Sequence, residues 1–247
     1  MQLVTPGLVL REVKLGEADR ILTILTPEHG MLTVSAKGSL RLKSKLFSGC
    51  GLFCYSEFTL FAGKNMYQVD EAQVKRVFFG LRERMEATAL AMYMAELAMA
   101  LKPMEQEGAT LLRLLLNSLY LLSEGKKDLR QIKAVYELRA VCESGFRPNL
   151  LCCESCHRYD GPGFYFDPVE GRLLCQECAK SHNRPSNLDL GALTALRHIA
   201  LVEDKRIFSF SISEQSLAYL GKATQSYALC QLDKPMKTLD FLNTMLS

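Results

Sequence analysis

The 247-residue chain has no tryptophan, and between His29 and Ser56 it has no aspartate or glutamate. It also lacks a membrane-length apolar run. The longest candidate, Ala87 to Leu101, contains Glu96 and falls short of the roughly 20 residues a spanning helix needs. The amino terminus, MQLVTPGLVLREVKLGEADR, shows no cationic leader followed by an apolar stretch, so the expectation is a cytoplasmic protein. In a reducing compartment nine cysteines do not imply disulfides. None of His29, His157, His182 and His198 opens a His-Glu-x-x-His or His-x-Glu pattern, which removes the common zinc-hydrolase and deaminase signatures. GSLRLKS (38–44) fails as a phosphate-binding loop, because Leu42 stands where the second glycine is required and strand pattern follows instead of a helix.

What is present is an ordinary globular composition, 48% hydrophobic and 23% charged, with a formal charge of +3. That charge is unevenly placed. Residues 1–80 hold ten Lys/Arg against seven Asp/Glu, and residues 81–247 hold twenty of each. A uniformly basic surface is excluded, and any polyanion site must be local.

Residues 1–76 read as strands. LVLREV, RILTILT, MLTVSA, FCYSEFTLFA and MYQVDEAQV are short and rich in β-branched or aromatic residues, and PEHG and AGKN supply turns between them. Five such strands predict a small sandwich or barrel. From Leu81 the period becomes helical. LRERMEATALAMYMAELAMALK, ATLLRLLLNSLYLLSEG and DLRQIKAVYELRAVCESG read as helices, the third with Asp128 as N-cap, Gln131 at the capping-box position and Gly145 as its stop. Helices resume after Asp189 and Ser213 and in KTLDFLNTML. The expected organisation is α+β: a β module at 1–80, then a helical domain at 81–247 with a cysteine-rich insertion at about 148–185. Met85, Met92 and Met99 recur every seven residues and are expected to form a core seam, with a partner-peptide groove as the alternative.

Cys153-x2-Cys156 and Cys175-x2-Cys178 are separated by 18 residues. Each short turn can aim two sulfurs at one point, and two turns joined by a hairpin supply four soft ligands to a tetrahedral Zn²⁺. GPGFYFDPVEGRLLC looks like that hairpin. Cys152 reads as a spare, since its use would give Cys-x3-Cys. His182 reads as a loop histidine. CESCH also fits the covalent haem attachment pattern, but that needs an oxidising compartment and leaves CQEC unexplained. Four sulfurs close the coordination shell, so the expected zinc is structural, one ion, and there are no catalytic residues. Cys50, Cys54, Cys142 and Cys230 are expected to be small apolar core residues.

VSAKGSLRLKSKLF carries Lys37, Arg41, Lys43 and Lys45 on a stretch containing glycine and serine between two strands. Four cations there can track a phosphate backbone, although an ordinary solvated loop has the same composition. Phe47, Phe53, Tyr55, Phe58, Phe61 and Tyr67 include possible base-stacking rings, but strand alternation should bury about half of them.

In this order the features resemble the RecO family of bacterial recombination mediators. GEADRILTILTPEHGMLTVSAKGSLRLKSK is similar to that family's Gly-Glu-x-Asp-Arg-Ile strand with its Ala-Lys-Gly and basic loop. ESGFRPNLLCCESC is similar to its Gly-x-x-Pro-x-Leu-x-x-Cys-x-x-Cys segment, which makes Cys153 the first ligand and Cys152 the spare, and GRLLCQEC matches the second knuckle. The resemblance covers essentially the whole chain. It implies that the β module is a five-stranded OB-fold barrel binding nucleic acid and that the rest is a helical bundle with a zinc finger. It further implies a non-enzymatic protein that binds single- and double-stranded DNA, anneals complementary strands and acts with RecR to load RecA onto DNA coated by single-stranded-DNA-binding protein (SSB), docking that protein's acidic, hydrophobic C-terminal tail. Lys37, Arg41, Lys43 and Lys45 take the place of the family's basic loop, with Leu40 and Leu42 interrupting the charge.

Overall fold

In the computed structural model, residues 2–103, 108–232 and 234–246 are described. The strands are β1 Gln2–Leu15, β2 Asp19–Thr26, β3 Gly30–Ala36, β4 Tyr55–Ala62 and β5 Tyr67–Arg76. A 3-10 turn, Phe79–Glu83, leads into α1 Met85–Leu101, α2 Gly108–Glu124 and α3 Leu129–Glu143. Next come β6 Asn149–Cys153, β7 Phe164–Asp167, β8 Arg172–Cys175, α4 Gln176–Ser181, α5 Leu190–Leu201, α6 Glu214–Leu232 and α7 Lys237–Leu246. Two compact units result, Met1–Gly125 with Thr238–Ser247, and Lys126–Lys237. Strand gives way to helix near residue 80, where the sequence changes period, but compactness divides the chain elsewhere: α1, α2 and α7 belong with the barrel.

The first five strands form a closed barrel in the order β1-β2-β3-β5-β4, the topology of an OB-fold, with β3 and β5 parallel and the other neighbours antiparallel. β1 closes it alone. Residues 2–8 pair with β4 and residues 8–15 pair with β2, and a register shift between Val9 and Arg11 bends the strand from one partner to the other. Strand alternation then sends Val9, Leu22, Ile24, Val34, Phe58, Leu60 and Val69 inward. Leu46 and Cys50, from the β3–β4 connection, complete the same core. The connection passes so close to β5 that a Cβ on Gly49 would lie 2.5 Å from the Ala72 carbonyl oxygen, so only glycine fits there.

α1 is apolar on nearly every side because it is the buried helix of its unit; Leu90, Tyr93, Met94 and Leu97 are fully enclosed. The second of its two carboxylates has a purpose: Glu96 Oε2 accepts from the Thr238 backbone N–H (2.9 Å) and hydroxyl, at the amino end of α7. The predicted methionine seam is not core. Met85 is 66% exposed, Met92 is 37% exposed and Met99 is half-buried, because alanines and Tyr93, Met94 and Leu97 fill the inward faces.

In the second unit α3 packs on α6 around a buried polar network. Lys133 Nζ donates to Glu137 Oε1 (2.7 Å) and Gln225 Oε1 (2.8 Å), and the Thr224 hydroxyl donates to Glu137 Oε2 (2.8 Å). Asp128 caps α3 through the Arg130 N–H, as its residue type suggests. Gln131 makes no capping box; its amide donates to the Phe210 carbonyl instead. Asp189 caps α5 through the Ala192 N–H and also accepts from the Ser216 hydroxyl. Of the cysteines expected in cores, Cys50, Cys54 and Cys142 are buried, but Cys230 is exposed on the outer side of α6.

Candidate nucleic-acid interface and metal centre

The β3–β4 connection, residues 37–54, has two parts with opposite fates. Its second half plugs the barrel through Leu46 and Cys50. Its first half stands outside, with Lys37, Arg41, Lys43 and Lys45 all exposed. Among the described residues none of these four forms an ion pair with a carboxylate.

Three consecutive residues, Ala18 and the first two of β2, hold this connection in place. The Leu40 N–H donates to the Ala18 carbonyl (2.9 Å), and the Gly38 N–H donates to Asp19 Oδ1 (2.7 Å). Arg20 lies between the two halves, only 5% exposed. Its guanidinium donates to the Ser39 carbonyl, the Cys50 carbonyl and Glu12 Oε2, each at 2.9 Å, and its carbon lies 5.8 Å from the Phe47 ring centroid. Gly38 adopts φ +67°, which lets the chain reverse directly after β3. In the sequence Arg20 stands out only as part of the Gly-Glu-x-Asp-Arg-Ile motif. A buried arginine with several carbonyl acceptors is visible only once the connection is folded, though "Asp-Arg" on a strand facing a loop without carboxylates was a signal that could have been weighed.

Of the aromatic residues considered, Phe58 and Phe53 are buried, Tyr55 and Tyr67 are half-buried, and Phe47 (41%) and Phe61 (43%) are exposed. Phe53 takes φ +60°, and its backbone N–H donates to the Val9 carbonyl, which seats the end of the connection; its ring is buried.

The second cluster lies in the other unit. β6, β8 and β7 form a three-stranded sheet in that order, with Gly171 at φ +64° turning the β7–β8 hairpin. The hairpin was legible in the sequence; β6, which runs parallel to β8, and the short α4 were not. The sheet brings Cys153 at the end of β6 to Cys175 at the end of β8. Cys156 follows in a tight turn, and Cys178 sits on α4. All four Sγ atoms lie within 4.8 Å of one another, and Cys156 and Cys175 are 3.6 Å apart. A tetrahedral ion with bonds of about 2.3 Å sets its sulfurs about 3.8 Å apart, so the group fits a metal. Burial opposes ionisation of Cys153, but the N–H groups of Cys175, Cys156 and Ser155 face its sulfur and hold the thiol at about 6, below the ordinary range. Hydrogen bonding to Cys175 and then Cys156 pushes Cys178 up to about 12. Four thiolates at this separation repel one another strongly unless a cation sits among them.

Cys152 lies outside the group, its Sγ 4.0 Å from His157 Nδ1, and among the described residues no histidine joins the four sulfurs. His157 instead serves the turn, with φ +59° and its N–H donating to the Cys153 carbonyl. Arg197 fixes the knuckle to α5, donating to the carbonyls of Leu150, Leu151 and Tyr159 and stacking 4.1 Å from the Tyr159 ring centroid.

An OB-type barrel with a cationic β3–β4 connection, joined in one chain to a helical unit bearing a four-cysteine metal group, defines a two-part architecture. Two family models match it: Recombination protein O N terminal over residues 1–78 and Recombination protein O C terminal over residues 82–240. The chain belongs to the RecO family. It is 37% identical over 241 residues to the DNA repair protein RecO of Acetivibrio thermocellus, covering 98% of this chain and 96% of that one. Its similarity to the proteins of the same name from Alkaliphilus metalliredigens (30% over 234 residues, 95% of each chain) and Symbiobacterium thermophilum (30% over 244 residues, 98% and 96%) is equally complete in extent. No helix among the described residues is long and apolar enough to cross a membrane.

Proposed function

We propose that this protein is a non-enzymatic DNA-repair mediator that grips single- and double-stranded DNA by phosphate contacts from Lys37, Arg41, Lys43 and Lys45. The observation that carries this reading is the braced, exposed connection on which these four cations have no carboxylate partner among the described residues. Neutralising backbone charge lowers the repulsion between two strands and so favours their annealing. The family and the relatives' names support the repair role. With that role we infer as partners RecR, the C-terminal tail of SSB and, indirectly, RecA, in the cytoplasm. The metal is Zn²⁺, held by Cys153, Cys156, Cys175 and Cys178 as a structural staple for a segment of three short strands.

The test is the salt dependence of oligonucleotide affinity. Four phosphate contacts on a single strand give a slope of about −3, at roughly −0.7 each. Changing the four cations together to alanine should bring the slope toward zero. An unchanged slope removes the connection from the site. A second reading, a partner-binding adaptor with secondary DNA contact, draws on the exposed Met85 and Met92 of α1. Tail-peptide capture by a protein with negligible oligonucleotide affinity would favour it.

A further inference from the structure

The β3–β4 connection contains three leucines near its cations, and they are treated differently. Leu46 is 7% exposed in the barrel core, and Leu40 is half-buried and tied to Ala18. Leu42 is 85% exposed, the highest value among the large apolar side chains of the described residues. An isolated exposed leucine needs no explanation in general. This one stands between Arg41 and Lys43, with both flanks of its turn pinned. On one side Gly38, Ser39 and Leu40 are bonded to Asp19, Arg20 and Ala18. On the other, the Ser44 N–H donates to the Arg41 carbonyl, the Phe47 N–H to the Ser44 carbonyl, and the Cys50 carbonyl accepts from Arg20. The turn is therefore held with Leu42 outward.

We propose that Leu42 is an apolar wedge which packs against an unstacked base of single-stranded DNA while Arg41 and Lys43 hold the flanking phosphates. A leucine there adds nothing to phosphate binding. It gains only from apolar surface, and single-stranded nucleic acid offers base faces beside the backbone that the cations follow. Pinning the turn in advance lowers the ordering cost of binding. The wedge also gives the connection a preference that cations alone lack: a stacked duplex hides its base faces, so Leu42 favours single strands.

This inference rests on the proposed phosphate grip, and salt separates the two. Cation contacts appear in the slope of log affinity against log salt, whereas apolar packing appears as an offset at every salt concentration. Binding of a fluorescent oligothymidine and of a blunt duplex is measured across salt for wild type, Leu42→Ala, Leu42→Met and the four-cation variant. Leu42→Ala should weaken single-strand binding roughly three- to tenfold at every salt concentration with the slope unchanged, leave duplex binding within about twofold, and be largely rescued by Leu42→Met. Equal loss on duplex and single strand, or no loss on either, overturns the wedge. If the slope survives in the four-cation variant, the phosphate grip itself fails. Anionic vesicles provide a further arm: wild-type binding to them that Leu42→Ala abolishes, with oligothymidine affinity unchanged, assigns the tip to a lipid surface and also overturns the proposal.

Discussion

Replacing Arg20 by methionine keeps the apolar stem and removes the guanidinium that joins β2 to both halves of the β3–β4 connection. The carbonyls of Ser39 and Cys50 lose their donor in a buried site, at about 1–3 kcal/mol each. The Glu12 contact adds little, because that side chain is 34% exposed and can turn to water. Against these losses stands a gain: Arg20 Nε is buried without an acceptor, and methionine relieves that burden. The net cost is about 2–4 kcal/mol, concentrated in the connection. Cys50 reports on it directly. Its side chain is fully buried, and burial pushes its thiol up to about 12 against the opposing pull of Arg20, so it is inert while the connection is closed. Under native conditions with the metal bound, mass spectrometry after alkylation should find Cys152 and Cys230 labelled quickly in the wild type, since Cys230 is exposed and Cys152 partly so. In the variant, Cys50 labelling should accelerate by roughly thirty- to several-hundred-fold, the opening population that 2–4 kcal/mol implies. Labelling within about threefold of wild type would refute the clamp and the energetic reasoning together.

Other consequences fall in the second unit. Chelation, or Cys175→Ser, should unfold the β6–β8 sheet, read as lost backbone exchange protection at Tyr165 and Leu174, which face each other across β7 and β8; metal affinity should fall as pH drops, since each ligand must shed a proton. Glu137→Gln should cost about 1–3 kcal/mol in urea unfolding, because it removes the charge of the carboxylate that accepts from Lys133 and Thr224 in a buried site; a loss under about 0.5 kcal/mol would mean that water reaches the α3–α6 network. Asp189→Ala should cost about 1–2 kcal/mol, because it removes the cap of α5 and the acceptor of the Ser216 hydroxyl at once.

Periodicity carried most of the fold. Runs of β-branched and aromatic residues between turn residues marked all five barrel strands, and the two Cys-x2-Cys turns marked four sulfurs that the structure brings together. The failures have a common cause, which is that local pattern does not say what lies opposite. Met85, Met92 and Met99 are correctly placed on one helix face, but whether that face is inside depends on how completely the other faces are already covered, and here alanine-rich sides pack first. Gln131 sits where a capping box would place it, yet the Phe210 carbonyl, 79 residues away in sequence, is the acceptor its amide reaches. β6 escaped notice because its partner β8 is parallel and lies beyond the knuckle and the hairpin, a pairing without any local turn signal.

The same limit applies to charge. Counted along the sequence, the first 80 residues offer ten cations to a polyanion. The fold withdraws Arg20 into the barrel as a brace and pairs Lys75 with Glu57 at 2.8 Å. What remains concentrated is the run at 37–45, in a span with no carboxylate to compete for it. On the proposed reading, Arg20 would act on nucleic acid only through the connection it holds. Its removal should weaken binding while leaving the phosphate contacts individually intact, whereas removing any one loop cation should lower the salt slope by about 0.7. The two kinds of cation look identical in composition, and that difference in slope is what tells them apart.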